Sequence, residues 1–191
     1  MTEPKTKTAL LVIDLQNDYF PGGKWTCEGI EAATANAGRL IAAARAAGDL
    51  VVHVRHEFAS SDAPFFAPGT PGAEIHPDVT PAEGATVILK HYVNSFRDTD
   101  LKAILERNGI EAVVICGAMS HLCIDGATRA ADDFGYRCTV VHDACAARDL
   151  EFNGQRVPAA QVHAAFMAAL AAAYAKVVST DEHLEGAAKA A

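Results

Sequence analysis

The sequence predicts an α/β protein, a doubly wound three-layer α/β/α sandwich around a mainly parallel six-stranded sheet. Two observations carry that prediction. Six short runs rich in Val, Ile and Leu (8–13, 50–54, 85–89, 112–116, 138–141 and 176–178) lack polar alternation, as do strands buried on both faces of a parallel sheet. Between them lie longer stretches whose apolar residues recur at helical spacing, and strand alternating with helix is the pattern of this class. A chain of 191 residues fits one domain, read here as 1–191.

In chain order, the first strand runs into Asp14. A helix over 29–47 follows, with Ile30, Ala33, Ala37, Leu40, Ile41 and Ala44 on one stripe and Gly48 placed to stop it. After the second strand, 57–84 shows no sustained periodicity, holds five of the eight prolines and carries Phe58, Phe65 and Phe66. A loop this long in a compact domain is usually functional or disordered, and its aromatics favour an ordered arm covering a pocket or a neighbouring subunit. The third strand leads to Lys90. A second helix takes Asp98 or Thr99 as N-cap, turns Leu101, Ile104 and Leu105 inward and stops at Asn108-Gly109. The fourth strand leads to Cys116-Gly-Ala-Met-Ser-His-Leu-Cys123, with Cys123 opening a third helix that ends before Gly135. His142-Asp143 follows the fifth strand and is read as structural. The fourth helix has Pro158 in its first turn, then Val162, Phe166, Leu170 and Tyr174.

Sixteen basic against 24 acidic residues give a net charge of −8, a balance that disfavours binding to nucleic acid. The longest apolar run, residues 164–175, is too short to span a bilayer, and the apolar stretch near the start is too short for a signal peptide. No membrane partner is expected. The five cysteines are odd in number and form no CxxC, so free thiols in a reducing compartment, the cytoplasm, are expected rather than disulfides. The histidines show no HxH or HxxxH spacing, and no glycine-rich phosphate loop follows a strand. Neither metal nor other cofactor is expected.

Ligands of open α/β sheets bind at the carboxyl ends of the strands. Asp14, Lys90 and the segment ending in Cys123 all follow strands there. A thiol is a weak nucleophile until it loses its proton; a carboxylate can take that proton, and a helix N-terminus and an ammonium favour the resulting thiolate. Backbone N–H groups of the same turn can face a developing oxyanion. Asp, Lys and Cys are therefore the parts needed to attack a carbonyl carbon. Taken singly, each has a blander reading: a turn residue, a solvated strand end, a small buried side chain. Cys116, Cys138 and Cys145 read as core thiols.

The blocks Leu10-Leu-Val-Ile-Asp14-Leu-Gln-Asn-Asp18, Lys90-His-Tyr-Val-Asn-Ser-Phe-Arg and Gly117-Ala-Met-Ser-His-Leu-Cys123, in that order, resemble the isochorismatase-like cysteine hydrolase superfamily, which includes nicotinamidases, N-carbamoylsarcosine amidases and related amidohydrolases. Val140-Val-His-Asp-Ala-Cys-Ala146 resembles a further family block, and the resemblance extends over about 9–180. It implies strand order 3-2-1-4-5-6, a catalytic triad of Asp14, Lys90 and Cys123, and a cis peptide between Ala118 and Met119. The N–H groups of Met119 and Cys123 would form the oxyanion hole, and Tyr19 matches an aromatic lining the family's pocket. Gln16, Phe58, Phe96 and Arg97 are the other substrate-binding candidates, Arg97 for a substrate carboxylate.

Two departures refine the expectation. Nicotinamidases carry an Asp-x-His metal motif after the second strand, where this sequence has His56-Glu57-Phe58. Members that cleave the isochorismate vinyl ether do not need the cysteine present here. The expected activity is metal-independent hydrolysis of a small amide or ureido compound through a Cys123 thioester, releasing ammonia or an amine. A homo-oligomer, dimer or larger, is expected from the same resemblance. The alternatives are hydrolysis of a cyclic amide or other acyl bond by the same triad, a redox-sensing thiol protein with Cys116 or Cys145 as resolving cysteine, and a catalytically silent member.

Overall fold

The structure, a computed structural model, describes residues 6–190. Strands β1 (Thr8–Ile13), β2 (Leu50–His56), β3 (Thr86–Lys90), β4 (Ala112–Ala118) and β5 (Arg137–Ala146) alternate with helices α1 (Ile30–Ala46), α2 (Leu101–Arg107) and α3 (Asp125–Asp133). A short antiparallel hairpin, β6 (Leu150–Phe152) and β7 (Gln155–Val157), precedes α4 (Ala159–Ala173), β8 (Lys176–Val178) and α5 (Thr180–Ala190). The six-stranded sheet has order β3-β2-β1-β4-β5-β8 and every pairing in it is parallel. This is the expected order; its last member is eighth in the chain because the hairpin intervenes.

Alternation along β1 divides the core. Leu10 and Val12 pack with Ile30, Ala33, Ala37 and Leu40 of α1, whereas Ala9, Leu11 and Ile13 pack with Leu101 and Leu105 of α2, Ala127 and Ala131 of α3, and Leu170 of α4. Both faces of β1 are covered, which explains its unbroken apolar run. Gly117 lets β4 lie against β1 at its carboxyl end: its φ is 128°, and a Cβ there would stand 1.9 Å from the Ile13 carbonyl oxygen.

Several boundaries differ from those predicted. β2 continues to His56, so the His56-Glu57 junction, not Val54, closes the strand. β5 continues to Ala146, its register to β4 shifting between Ile115 and Gly117, so His142-Asp143 lies within the strand. The Asp143 carboxylate accepts the Thr180 N–H and hydroxyl, both at 2.7 Å, and so fixes the start of α5. Asp100 caps α2, with the Thr99 hydroxyl accepting the Leu101 N–H at 3.3 Å. Cys123 does not open α3. It lies in a π-helical turn, Ser120–Ile124, that precedes it. Among the described residues no helix is long and apolar enough to cross a membrane.

Candidate active site

β1 ends at Asp14, whose backbone is left-handed (φ 52°), a conformation aspartate tolerates better than most residues. Its N–H donates to the Val54 carbonyl at 2.9 Å, which carries the chain out of the sheet plane. Lys90 is the last residue of β3. Its Nζ lies 2.7 Å from Asp14 Oδ2, and both side chains are closed to solvent. Lys90 also donates to Cys123 Sγ at 3.3 Å and to the Tyr92 carbonyl at 3.1 Å, and stands 3.1 Å from His56 Nδ1. The three residues singled out at strand ends thus meet at one buried point.

Burial pushes the Cys123 thiol well above its ordinary range, the Asp14 charge adds to this, and Lys90 offsets only part. The resting sulfur is therefore a protonated thiol beside a carboxylate, not the preformed thiolate that a helix N-terminus and an ammonium would favour. For Lys90, burial works against the charge, but the carboxylate and the sulfur outweigh it and the ammonium is retained. Burial and the Lys90 charge lower His56 to about 4, so its ring is neutral near pH 7.

The Ala118–Met119 peptide is cis. It opens the turn that carries Met119 and Cys123 to the pocket. Within that turn the Met119 carbonyl accepts N–H groups from Leu122 and Ile124. Ser120 anchors it from behind: its hydroxyl donates to the Ala146 carbonyl at 3.1 Å and lies 2.8 Å from His163 Nδ1. With its only proton given to Ala146, the Ser120 hydroxyl accepts from Nδ1–H of His163, whose burial favours the neutral ring.

A pocket of about 220 Å³ stands over the sulfur, lined by Tyr19, His56, Phe58, Phe65, Met119 and Leu122 among others. The segment 57–84 supplies one wall, so it is an arm over the pocket. Tyr19 packs against Phe66 with ring centroids 4.5 Å apart, and Phe66 is itself wholly buried. Asp18 pins the arm by accepting the Phe66 N–H at 2.7 Å.

Of the predicted substrate-binding residues, Tyr19 and Phe58 reach the pocket and three do not. Gln16 is spent on main chain: its amide donates to the carbonyls of His56 and Ala73 and accepts the His56 N–H, all within 2.8 Å. Phe96 lies against Phe134 and Tyr136 in the core on the α2–α3 side. The Arg97 guanidinium stacks on the exposed Tyr92 ring at 3.7 Å. Sequence reasoning named Phe65 only as an aromatic of the arm, and it missed His56, Ser120 and Asp18. His56 is signalled only by its position at the end of a strand.

Cys27 and Cys138 donate to main-chain carbonyls, and all five cysteines are free and buried. Lys90, Asp14 and Tyr19 act on Cys123, and among the described residues no second thiol does so. Among the described residues no group of three or more His, Cys, Asp and Glu side chains is placed to hold a metal ion.

A buried Asp–Lys–Cys cluster at the carboxyl end of a doubly wound sheet defines the class, and comparison with known proteins gives the family. The Isochorismatase domain model matches residues 8–182, and the chain belongs to the isochorismatase family of hydrolases. It is 49% identical over 178 residues to the uncharacterized isochorismatase family protein YddQ of Bacillus subtilis, covering 93% of this chain and 99% of that one. A candidate isochorismatase hydrolase from Oleispira antarctica superposes with a TM-score of 0.92 at 57% identity, over 97% of this chain and all of that one. Maleamate amidohydrolase of Pseudomonas putida is 32% identical over 154 residues, 72% of this chain and 71% of its own.

Proposed function

We propose that the protein is an amidohydrolase that cleaves a C–N bond of a small amide or ureido compound, with Cys123 as nucleophile, Asp14 as proton carrier and Lys90 as electrostatic support. The observation that carries this reading is the Lys90 ammonium, 2.7 Å from Asp14 and 3.3 Å from Cys123, with the lysine and aspartate side chains both closed to solvent beside the pocket. Similarity to an amidohydrolase supports the choice of bond.

The sequence of events follows from the protonation states. Asp14 takes the thiol proton as substrate arrives, and the sulfur attacks the carbonyl carbon. The Met119 and Cys123 N–H groups hold the oxyanion; each such donor is worth on the order of 100-fold in rate or more. Asp14 returns the proton to the leaving nitrogen, and ammonia or an amine departs. Water, deprotonated by the same carboxylate, then hydrolyses the thioester and frees the thiol and an acid. The Lys90 cation stays beside Asp14 throughout, and the one carboxylate serves as base in both halves.

The pocket admits a small, largely apolar substrate bounded by Tyr19, Phe58 and Phe65. A panel of small amides and ureido compounds, read by ammonia release, tests the reading. Turnover that Cys123→Ala abolishes supports it; turnover retained in that variant refutes the nucleophile. The reading places the reaction in the cytoplasm, in keeping with five unpaired thiols. It also has the chain assemble with copies of itself, in keeping with apolar Tyr92, Val93 and Leu122 exposed around the pocket mouth. A light-scattering molar mass equal to one chain would exclude the assembly.

A further inference from the structure

Tyr19 closes a short 3-10 turn, Asn17–Tyr19, just beyond Asp14 and is 2% exposed. Its N–H donates to the Gln16 carbonyl at 3.0 Å, and its carbonyl accepts the Cys27 N–H at 2.9 Å. The ring packs against Phe65 and Phe66, contacts that a phenylalanine would make equally well. What sets the tyrosine apart is its hydroxyl, which has no hydrogen-bond partner among the described residues although the side chain lines the pocket. Other polar groups of the wall are taken or closed off. His56 Nδ1 accepts from Lys90, which leaves the ring proton on Nε2, and Nε2 is shut from solvent. His91 gives its Nδ1–H to the Glu57 carbonyl at 2.6 Å, and Tyr92 lies exposed at the mouth with Arg97 stacked on it. Apart from the reacting thiol, the Tyr19 hydroxyl is the polar group deep in the wall that is left for a ligand.

We propose that the Tyr19 hydroxyl is a specificity-determining donor that selects amides whose acyl part carries a hydrogen-bond-accepting oxygen. The proposal deepens the amidohydrolase reading and rests on it. With the scissile carbon at Cys123 Sγ, the carbonyl oxygen belongs to the Met119 and Cys123 N–H groups and the leaving nitrogen to Asp14. Only the acyl substituent remains to fill the space bounded by Tyr19, Phe58 and Phe65. Two of those three rings offer it nothing but apolar contact, so the phenol alone can recognise a polar atom on that part of the substrate.

The hydroxyl acts there as a donor. Burial, reinforced by the nearby Cys123 sulfur and Asp14 carboxylate, holds its proton on well above the usual phenol range, against a smaller opposing pull from Arg148. Solvent entering the pocket can meet this O–H in the free protein. An acyl group that fills the space without an acceptor strips that solvent away and leaves the donor unpaired, which is unfavourable in apolar surroundings. An acyl group that brings an oxygen replaces the lost partner. Discrimination thus comes from the penalty on the wrong ligand as much as from the bond to the right one.

Alkylation of Cys123 by limiting iodoacetamide, mapped by mass spectrometry, is slowed by any amide seated over the sulfur, whether or not it is turned over. Two pairs of amides matched in shape test the hydroxyl. Methoxyacetamide and butanamide differ by an ether oxygen in place of a methylene; succinamate and 4-methylpentanamide differ by a carboxylate in place of an isopropyl group. In the wild type, the oxygen-bearing member is expected to half-protect Cys123 at a concentration lower by about fivefold for the ether, or by about tenfold or more for the carboxylate. Whichever pair responds tells whether the acceptor is neutral or charged. Tyr19→Phe, which deletes one oxygen atom, is expected to bring the responding ratio close to one. Both members of a pair are measured in the same variant, so a general change in thiol reactivity cancels. Wild-type ratios near one for both pairs, no protection by either oxygen-bearing amide, or an undiminished ratio in Tyr19→Phe overturns the proposal. The first two outcomes need no variant to fold. Ammonia release from the amide panel is read separately, so ratios near one alongside turnover that depends on Cys123 overturn this proposal and leave the amidohydrolase reading standing.

Discussion

The two ends of the sheet hold cavities of similar size and opposite chemistry. At the carboxyl end, about 220 Å³ lies over Cys123 beside a buried carboxylate and ammonium. At the amino end, about 290 Å³ lies between α1, α5 and the sheet, lined mainly by Leu10, Leu40, Ala43, Ala44, Val114 and Leu184. The groups able to ionise along the larger space, Asp49 and His183, are both partly open to solvent. Burying two opposite charges and a thiol away from water is unfavourable unless each is matched by the others, and that matched set, not the volume beside it, is what marks the smaller cavity for chemistry.

The sharpest way to break the contrast is to remove one charge. Lys90→Met leaves Asp14 buried and unpaired, and should destabilise the protein by about 3–5 kcal/mol in urea unfolding while abolishing hydrolysis. Acid is the next lever. His53 and His56 are both lowered from 6.5 to about 4, chiefly by burial, so the unfolded chain binds protons that the folded chain refuses. Stability is whole above pH 6.5 and falls as the pH drops toward 4, by up to about 3 kcal/mol for each imidazole. Melting temperatures at pH 7 and 4.5 measure the drop, and His53→Leu should remove part of it.

Asp14→Asn sharpens the comparison from within the site. Removing the carboxylate charge relieves one cause of the raised Cys123 thiol, so alkylation of Cys123 should quicken by several-fold even as amide turnover vanishes. A variant that loses both would mean that Asp14 holds the sulfur in place rather than titrating against it. The smallest effect belongs to the other end. Ala44→Val adds methyl groups to an apolar space, and should change stability by less than about 1 kcal/mol and leave turnover unaltered.

How far each end was legible in the sequence follows from the same difference. β1, β2, β4 and α1 are buried by regular apolar patterns, and their residues could be read directly. Asp14, Lys90 and Cys123 stood out only as a set: each alone reads as structural, but an acid, an ammonium and a thiol at or beyond strand ends on one side of the sheet make up one chemistry. The hairpin β6–β7 escaped notice because its strands have three residues each, although Asn153-Gly154, both left-handed (φ 51° and 74°), is the dipeptide such turns require. α5 was hidden by an alanine-rich tail without a strong stripe. Its start was nevertheless written in Ser179 and Glu182, which exchange hydrogen bonds as a capping box. The pocket wall was least legible. Phe96 and Arg97 look like site residues by their neighbourhood to Lys90, yet irregular chain between β3 and α2 turns one into the core and the other onto Tyr92.

The attachment of the arm has a bearing on how new specificities can arise. Gln16 and Asp18, two and four residues beyond Asp14, hold the arm through the Ala73 carbonyl and the Phe66 N–H, groups that every residue but proline possesses in full. Bonds of that kind are blind to which side chain is mounted on the arm. Phe58 and Phe65 can therefore be exchanged for residues of other shape and polarity while the mounting, and the carboxylate next to it, stays as it is. The protein is built like a tool with a fixed handle and a replaceable jaw.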